Sequence, residues 1–449
     1  MSTGESHGDA AGTENPAVRR LAAWDAGRLE GLAAEYETPL YVMDLDRVRE
    51  NCRRLQAAFS AADVRYAAKA HAGRAVLETV REEGLGIECA SAGEVERAFA
   101  AGARGTEVQY TAVNPPDRDL DTVIERWHDE SELTITAGAR DTVDRLRERG
   151  FDGRLCVRVN PGVGAGHHEK VTTGGHAKFG VPYSQAESVV TDARDDFDVV
   201  GIHAHAGSGI SGDDLSAHRE VVRRMGELAR AVSDHVDLEF VDVGGGFGVP
   251  YREDEPPLDL DAVARATREA LGEVDAQLAI EPGRYVVADA GVLLATVNTV
   301  KESEEYETVV GIDAGMTTLL RPAMYDAYHA IRNLSVETDD AEAETDDAEA
   351  ETGDGEAETE NGDEDADSDA IPVTVAGPIC ETSDVLCEHR PLARPSRGDV
   401  LAVGNAGAYG YEMASTYNSR PRPAEVVLDP EPRLARRRET LAALTELEE

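Results

Sequence analysis

The sequence predicts an α/β chain: an eight-stranded β/α barrel of the TIM type, followed by a mainly β C-terminal domain of sandwich-like or barrel-like form. Three observations carry this. From about residue 64 to 284, short apolar runs alternate with amphipathic stretches. Residues able to do chemistry recur at the ends of those runs, where a barrel gathers its functional groups. After residue 286 the texture changes to strand-like segments broken by Gly, Pro and Asp.

Residues 1–36 read as an N-terminal extension whose start is disordered; its opening, MSTGESHGDAAGTENP, lacks the apolar core of a signal peptide. Residues 37–63 form an entry segment, in which Leu40–Met43 is a strand that joins the later β domain. The barrel, 64–285, takes its strands from Val64–Ala68, Ile87–Cys89, Val108–Thr111, Leu133–Ile135, Leu155–Val159, Val200–His205, Leu238–Asp242 and Leu278–Glu281. Helical patterns such as Gly73–Glu83, Ala92–Ala101, Arg140–Arg149 and Leu215–Ser233 separate most of them. Eight such units favour a closed barrel over an open doubly wound sheet. Val286–Val300, Thr308–Ile312, Ile371–Val375, Val400–Val403 and Glu425–Leu428 give the β domain its strands, over 286–336 and 371–430. Between those parts, 337–370 repeats TDDAEAE in tandem and holds eighteen acids with no Lys or Arg. It has nothing to bury and its charges repel, so it is expected to be a disordered insert.

The chain of 449 residues is 41% hydrophobic, enough for two domains with a sizeable core. No apolar run is long enough to span a bilayer. Five cysteines lack disulfide or metal spacing, which fits reduced thiols in a cytoplasm. The 89 acids against 44 bases give a net charge of −45 and disfavour nucleic acid and anionic membranes as partners. Such acidity with only four lysines resembles proteins of salt-loving archaea.

The candidate chemistry lies at the strand ends. Lys69 closes the first barrel strand in YAAKAH, where burial lowers a lysine toward the neutral amine that Schiff-base formation with an aldehyde requires. A strand-end lysine reaching solvent is commoner, but few lysines compete here. His203 and His205, in GIHAHAGSG, point to one face. No third ligand of compatible spacing supports a metal, so none is expected. For His203 a hydrogen-bonded core role is preferred, whereas His205 is placed to lie flat against a planar ring. Gly244, Gly245 and Gly246 in VDVGGGFG let backbone amides approach an anion, although glycine runs also make plain turns. Ser208 and Arg284 could add phosphate contacts. Glu281, in AIEPGRY, is a natural partner for a pyridine nitrogen.

YAAKAH, HAHAGSG, VDVGGGFG and EPGRY together resemble the fold-type III pyridoxal-phosphate decarboxylases. GIDAGMTTLLRPAMYDAYH, GPICETSD, VTTGGHAKFGV and NAGAYGYEMASTYN are similar to the diaminopimelate decarboxylase branch, and the likeness runs in order from about residue 37 to 420, the insert excepted. The resemblance implies pyridoxal 5'-phosphate held covalently by Lys69, with His205 stacked on its ring. Ser208, Gly244–Gly246, Glu281, Pro282, Gly283, Arg284 and Tyr409 would contact that cofactor. It implies an amino-acid substrate at Arg284, Arg321, Tyr325, Glu381 and Tyr409, with Cys380 as general acid and Glu94 near the cofactor. Arg321 and Glu381 suit the carboxylate and ammonium at the far end of diaminopimelate. It further implies a homodimer with shared active sites, making L-lysine in the last step of its synthesis. Ornithine, arginine or carboxynorspermidine decarboxylases on the same fold are the alternative; Arg321 discriminates, because a substrate lacking the distal carboxylate gives it no partner. A non-catalytic cofactor carrier would leave Cys380 and Glu381 unexplained, and an acidic scaffold would leave the barrel motifs so. Thr317 and His71 stand where the family more often has asparagine.

Overall fold

The computed structural model describes residues 17–163, 178–205, 207, 210, 214–336 and 370–449. Ser208, most of VTTGGHAKFGV and residues 337–369 of the acidic insert lie outside the described residues, and so does the expectation of disorder for them and for the start of the chain; Ala370 itself is in a strand.

Strand β1 (Leu40–Asp44) leads into helix α2 (Leu45–Ala58), after an earlier helix α1 (Ala26–Tyr36). Asp44 caps α2 by accepting from the Asp46 and Arg47 amides. Eight parallel strands follow: β2 (Asp63–Ala67), β3 (Gly86–Cys89), β4 (Val108–Tyr110), β5 (Thr134–Ala137), β6 (Arg154–Asn160), β8 (Asp198–His203), β9 (Phe240–Asp242) and β10 (Gln277–Ile280), with β7 (Val181–Pro182) a two-residue appendage on β6. Each pairs with the next, β10 returns to β2, and the β5–β6 pairing completes the ring. The barrel is closed.

Amphipathic helices wrap it because their apolar faces need cover. In α8 (Ser216–Val232), for example, Val221, Val222, Met225, Leu228, Ala229 and Val232 are buried. Strand residues are buried almost throughout, as in a sheet covered on both faces.

The second sheet runs β15 (Val385–Ala393), β14 (Ala370–Ala376), β12 (Thr308–Ile312), β11 (Gly291–Lys301), β1, β17 (Ala424–Asp429), β18 (Glu431–Arg436), with β16 (Val400–Val403) bridging β11 and β13 (Ile331–Asn333). β1 lies antiparallel to β11 and parallel to β17, so the entry segment is a central strand of this sheet.

Three readings need correction. Val286 and Val287 are not strand; they sit in a buried helical turn, α10 (Arg284–Val287), and the strand starts at Gly291. An apolar run alone does not separate a buried turn from a strand. Residues 26–36 are more than an extension: Leu29, Leu32 and Ala33, at helical spacing, pack with Leu40, Val42, Val292 and Leu294. The sheet also continues past residue 430 through β18.

Candidate active site

The barrel mouth gathers a set of buried ionisable groups that no local sequence window displays. β2 ends in a single 3-10 turn, Ala68–Ala70, which lifts Lys69 above the strand. Its Nζ pairs with Glu88 Oε2 at the end of β3. Sequence reading missed Glu88; the available signal was an acid inside the buried strand GIEC. The pair also reverses the expected protonation of Lys69. Burial lowers an amine, but Glu88 and Glu281 outweigh it and hold the ammonium above the ordinary lysine range.

Glu281 is 4% exposed and follows β10. Burial, then the charge of Glu88, pushes its carboxyl up to about 7. One oxygen, Oε2, meets His203 Nε2 at 3.1 Å. The other, Oε1, is buried with no hydrogen-bond partner among the described residues. His203 is fully buried and lowered to about 4 by burial, so it is a neutral ring. Asp242, at the end of β9, is likewise raised to about 7 by burial and by Glu281. His203, Asp242 and Glu281 offer ligand atoms within 4.8 Å of one another. Two partners thus join His203 that spacing along the chain does not reveal, because adjacent strand ends of a closed barrel converge. The observed His203–Glu281 hydrogen bond accounts for part of the set.

His205 is half-buried, and its Nδ1 accepts from the Gly245 amide at 3.1 Å, leaving the other nitrogen as donor in the neutral ring. Burial first, then Lys69 and Arg158, holds it well below the ordinary imidazole range. The glycine triplet is required by close backbone packing whatever it binds. A Cβ on Gly245 would lie 2.1 Å from the Glu281 carbonyl oxygen, and one on Gly246, at φ +102°, 2.5 Å from that of Gly207.

Residues from the second sheet reach the same mouth. Tyr409 donates its amide to Ala70 O at 2.8 Å, beside Lys69. That approach needs Gly407, since a Cβ there would lie 1.9 Å from Val287 O. The Arg284 guanidinium lies 4.9 Å from the Tyr409 ring centre. Arg321, buried at the start of α11 (Arg321–Tyr325), and Arg284 both donate to Tyr251 Oη. Tyr325, on the same short helix, is close enough to Arg284 for its charge to act on it. Pro282 and Gly283 are buried between Glu281 and Arg284; the Pro282 carbonyl accepts from the Ala67 amide at 3.0 Å.

Cys380 and Glu381 stand apart. Both are exposed, Cys380 Sγ accepting from Asn418 Nδ2 at 3.5 Å and Glu381 Oε1 from the Thr382 amide at 3.0 Å. Buried Asp384 pins their loop from behind, accepting from the amides of Met316 at 2.6 Å and Ile379 at 2.9 Å. Ser91 caps helix α4 (Ala92–Ala100), accepting from the Glu94 amide at 3.2 Å; Glu94 in turn accepts from the Ala90 amide at 2.7 Å, and burial raises it to about 7. His71 is buried against Glu425 of β17 at 2.8 Å, tying barrel to second sheet. Thr317 is buried, and nothing in the structure explains the choice of threonine.

The model of the pyridoxal-dependent decarboxylase family's pyridoxal binding domain matches residues 45–288. The diaminopimelate decarboxylase of Methanothermobacter thermautotrophicus is 41% identical over 430 residues, 92% of this chain and 92% of that protein. This chain belongs to the diaminopimelate decarboxylase family. Another relative in that family, from Streptomyces coelicolor, is 35% identical over 94% of this chain and 92% of its own length. Among solved structures, diaminopimelate decarboxylase from Helicobacter pylori complexed with L-lysine superposes with a TM-score of 0.81 at 29% identity, covering 94% of this chain and 99% of that one.

The site fits pyridoxal 5'-phosphate, the cofactor of this family. The unpartnered, buried Glu281 Oε1 is an acceptor that a ring N–H would satisfy, and a lone lysine amine stands within its electrostatic reach.

Proposed function

We propose that the protein decarboxylates meso-2,6-diaminopimelate to L-lysine and CO2 with pyridoxal 5'-phosphate. The whole-length relationship to diaminopimelate decarboxylases carries this reading, and the Lys69–Glu88–Glu281 cluster supports it. Bound pyridoxal phosphate supplies an aldehyde that condenses with amines and a ring that accepts the electron pair released as the carboxylate leaves. Lys69 is the amine that would hold it, through Nζ. Glu88 and Glu281 hold the proton on Lys69 Nζ, and Glu281 Oε1 would accept from a protonated ring nitrogen. His205 would cover one face of the ring, while Ser208, Gly244–Gly246, Pro282, Gly283, Arg284 and Tyr409 would contact the cofactor. Arg284, Arg321, Tyr325 and Tyr409 receive the substrate. After CO2 departs, the carbon it left takes a proton from Cys380 Sγ, and Glu381 pairs with the distal ammonium.

Cys380 and Glu381 are exposed on their own chain, which supports a two-fold homodimer in which each chain completes the partner's site. The excess of acid supports work in a salt-rich cytoplasm, and among the described residues no helix is long and apolar enough to cross a membrane. The melting temperature should rise as KCl is added; a fall would contradict the salt reading.

The test of function is to supply pyridoxal phosphate and meso-diaminopimelate and measure CO2 and L-lysine. Faster turnover of lysine or ornithine would refute the assignment.

A further inference from the structure

Tyr251 belongs to none of the roles above, yet it stands where the two regions meet. Its backbone is anchored on both sides: the Tyr251 amide donates to Glu255 Oε2 at 2.7 Å, and the neighbouring Pro250 carbonyl accepts from Asn405 Nδ2 at 3.0 Å. The phenol oxygen accepts from Arg284 Nη1 at 2.7 Å and from Arg321 Nη1 at 3.0 Å. Arg284 comes from the end of the barrel and Arg321 from the second sheet's connections, so one oxygen bridges cations of separate origin. The two guanidiniums repel each other, and the acceptor they share offsets part of that repulsion.

Arg321 is held a second time. Its Nη1 reaches His329 Nε2 at 2.9 Å, while His329 Nδ1 donates to Gly404 O at 2.8 Å and so leaves Nε2 as the acceptor. The His329 ring meets Tyr251 edge-on, with centres 5.3 Å apart. These bonds engage Nη1 of each guanidinium. Each planar fork carries five N–H donors, so donors remain to meet a carboxylate.

We propose that Tyr251 is a positioning residue for substrate choice: its phenol oxygen locks Arg284 and Arg321 into one receptor for a carboxylate at the end of the substrate remote from the reacting carbon. This rests on the proposed decarboxylation. Burial alone would raise the phenol, but Arg284 and Arg321 outweigh it and draw Tyr251 below the ordinary tyrosine range, as befits an oxygen that serves as acceptor to both.

The test compares two ligands that differ only in that carboxylate, L-lysine and 1,5-diaminopentane, on the cofactor-loaded wild type and Tyr251→Phe. Binding is read from the cofactor's absorbance change. In Tyr251→Phe, L-lysine affinity should fall about tenfold and diaminopentane affinity should change less than about twofold. KM for diaminopimelate should rise about as much as L-lysine affinity falls, with kcat changing less. Equal losses for both ligands, or none, would overturn the role. If Tyr251→Phe does not fold, Tyr251→Gln, which keeps an acceptor, is measured with the same ligands. It should lose L-lysine affinity by a smaller factor and still spare diaminopentane; equal losses again overturn the proposal. A wild type that releases no CO2 from diaminopimelate refutes the proposed function itself. Normal wild-type turnover beside an unselective Tyr251 variant refutes only this inference.

Discussion

The barrel mouth and the 377–384 loop solve opposite problems. At the mouth, Lys69, Glu88, His203, Asp242 and Glu281 come from five different strand ends and lie against one another, most of them withdrawn from water. Burial first, and that company second, sets their protonation: Glu281 and Asp242 rise to about 7, and His203 falls to about 4. The loop does the reverse. Asp384 is buried and fixes the backbone, while Cys380 and Glu381 face outward. One region tunes its groups by enclosing them, and the other holds its groups steady at the surface. The comparison teaches that the two proposed halves of the chemistry are organised independently, which makes them separable by experiment.

The largest effect should come from separating them. In the proposed two-fold dimer, the Lys69→Ala and Cys380→Ala variants should each be nearly inactive. After reversible dissociation and mixing, random pairing makes about half of the dimers mixed, each with one intact site. Activity should recover to about a quarter of wild type, measured as CO2 release. Mixed dimers that demonstrably form and recover nothing would place both halves in one chain.

Arg321 probes the seam between the regions. Arg321→Ala should lower kcat/KM for diaminopimelate by about tenfold or more, the loss expected for a charge-assisted carboxylate contact. The absorbance of the bound cofactor should be unchanged. If the cofactor is lost in parallel, Arg321 supports the cofactor site and not the substrate.

The smallest effect tests the enclosed charges alone. Asp242 is raised from 3.8 to about 7 by burial and by Glu281, so the folded protein binds this proton more tightly than the unfolded chain does. Its contribution to stability is fully present below the unfolded value and is lost as pH rises through about 7. His203, lowered from 6.5 to about 4, runs the other way: its contribution is present above 6.5 and lost as pH falls toward 4. Comparing Asp242→Asn with wild type isolates the first from the second. The variant's gain in melting temperature, relative to wild type, should be larger at about pH 8 than at about pH 5. A difference that does not vary with pH would show that Asp242 is not held protonated by its surroundings.

Much of this was legible in the residue order. The alternation of apolar runs and amphipathic helices marked each barrel strand to within a residue or two, because a strand covered on both faces must be apolar along its length. Lys69 and Glu281 were visible because they close such runs, and a barrel puts every such end on one rim. The switch at Val286–Val287 was misread because apolarity reports burial and does not report backbone shape.

What the residue order determined, then, is which segments are strands and helices, which ends share a rim, and what kinds of side chain stand there; these follow from local periodicity and chain direction. The tertiary structure alone decided who meets whom. Glu88 reaching Lys69, Asp242 and Glu281 closing on His203, Tyr251 between Arg284 and Arg321, and His71 on Glu425 are contacts across strands or across the two sheets. It also reversed the protonation expected of Lys69, because burial acts on a residue singly while charge acts in pairs. Such pairs depend on distances through space that spacing along a chain does not encode.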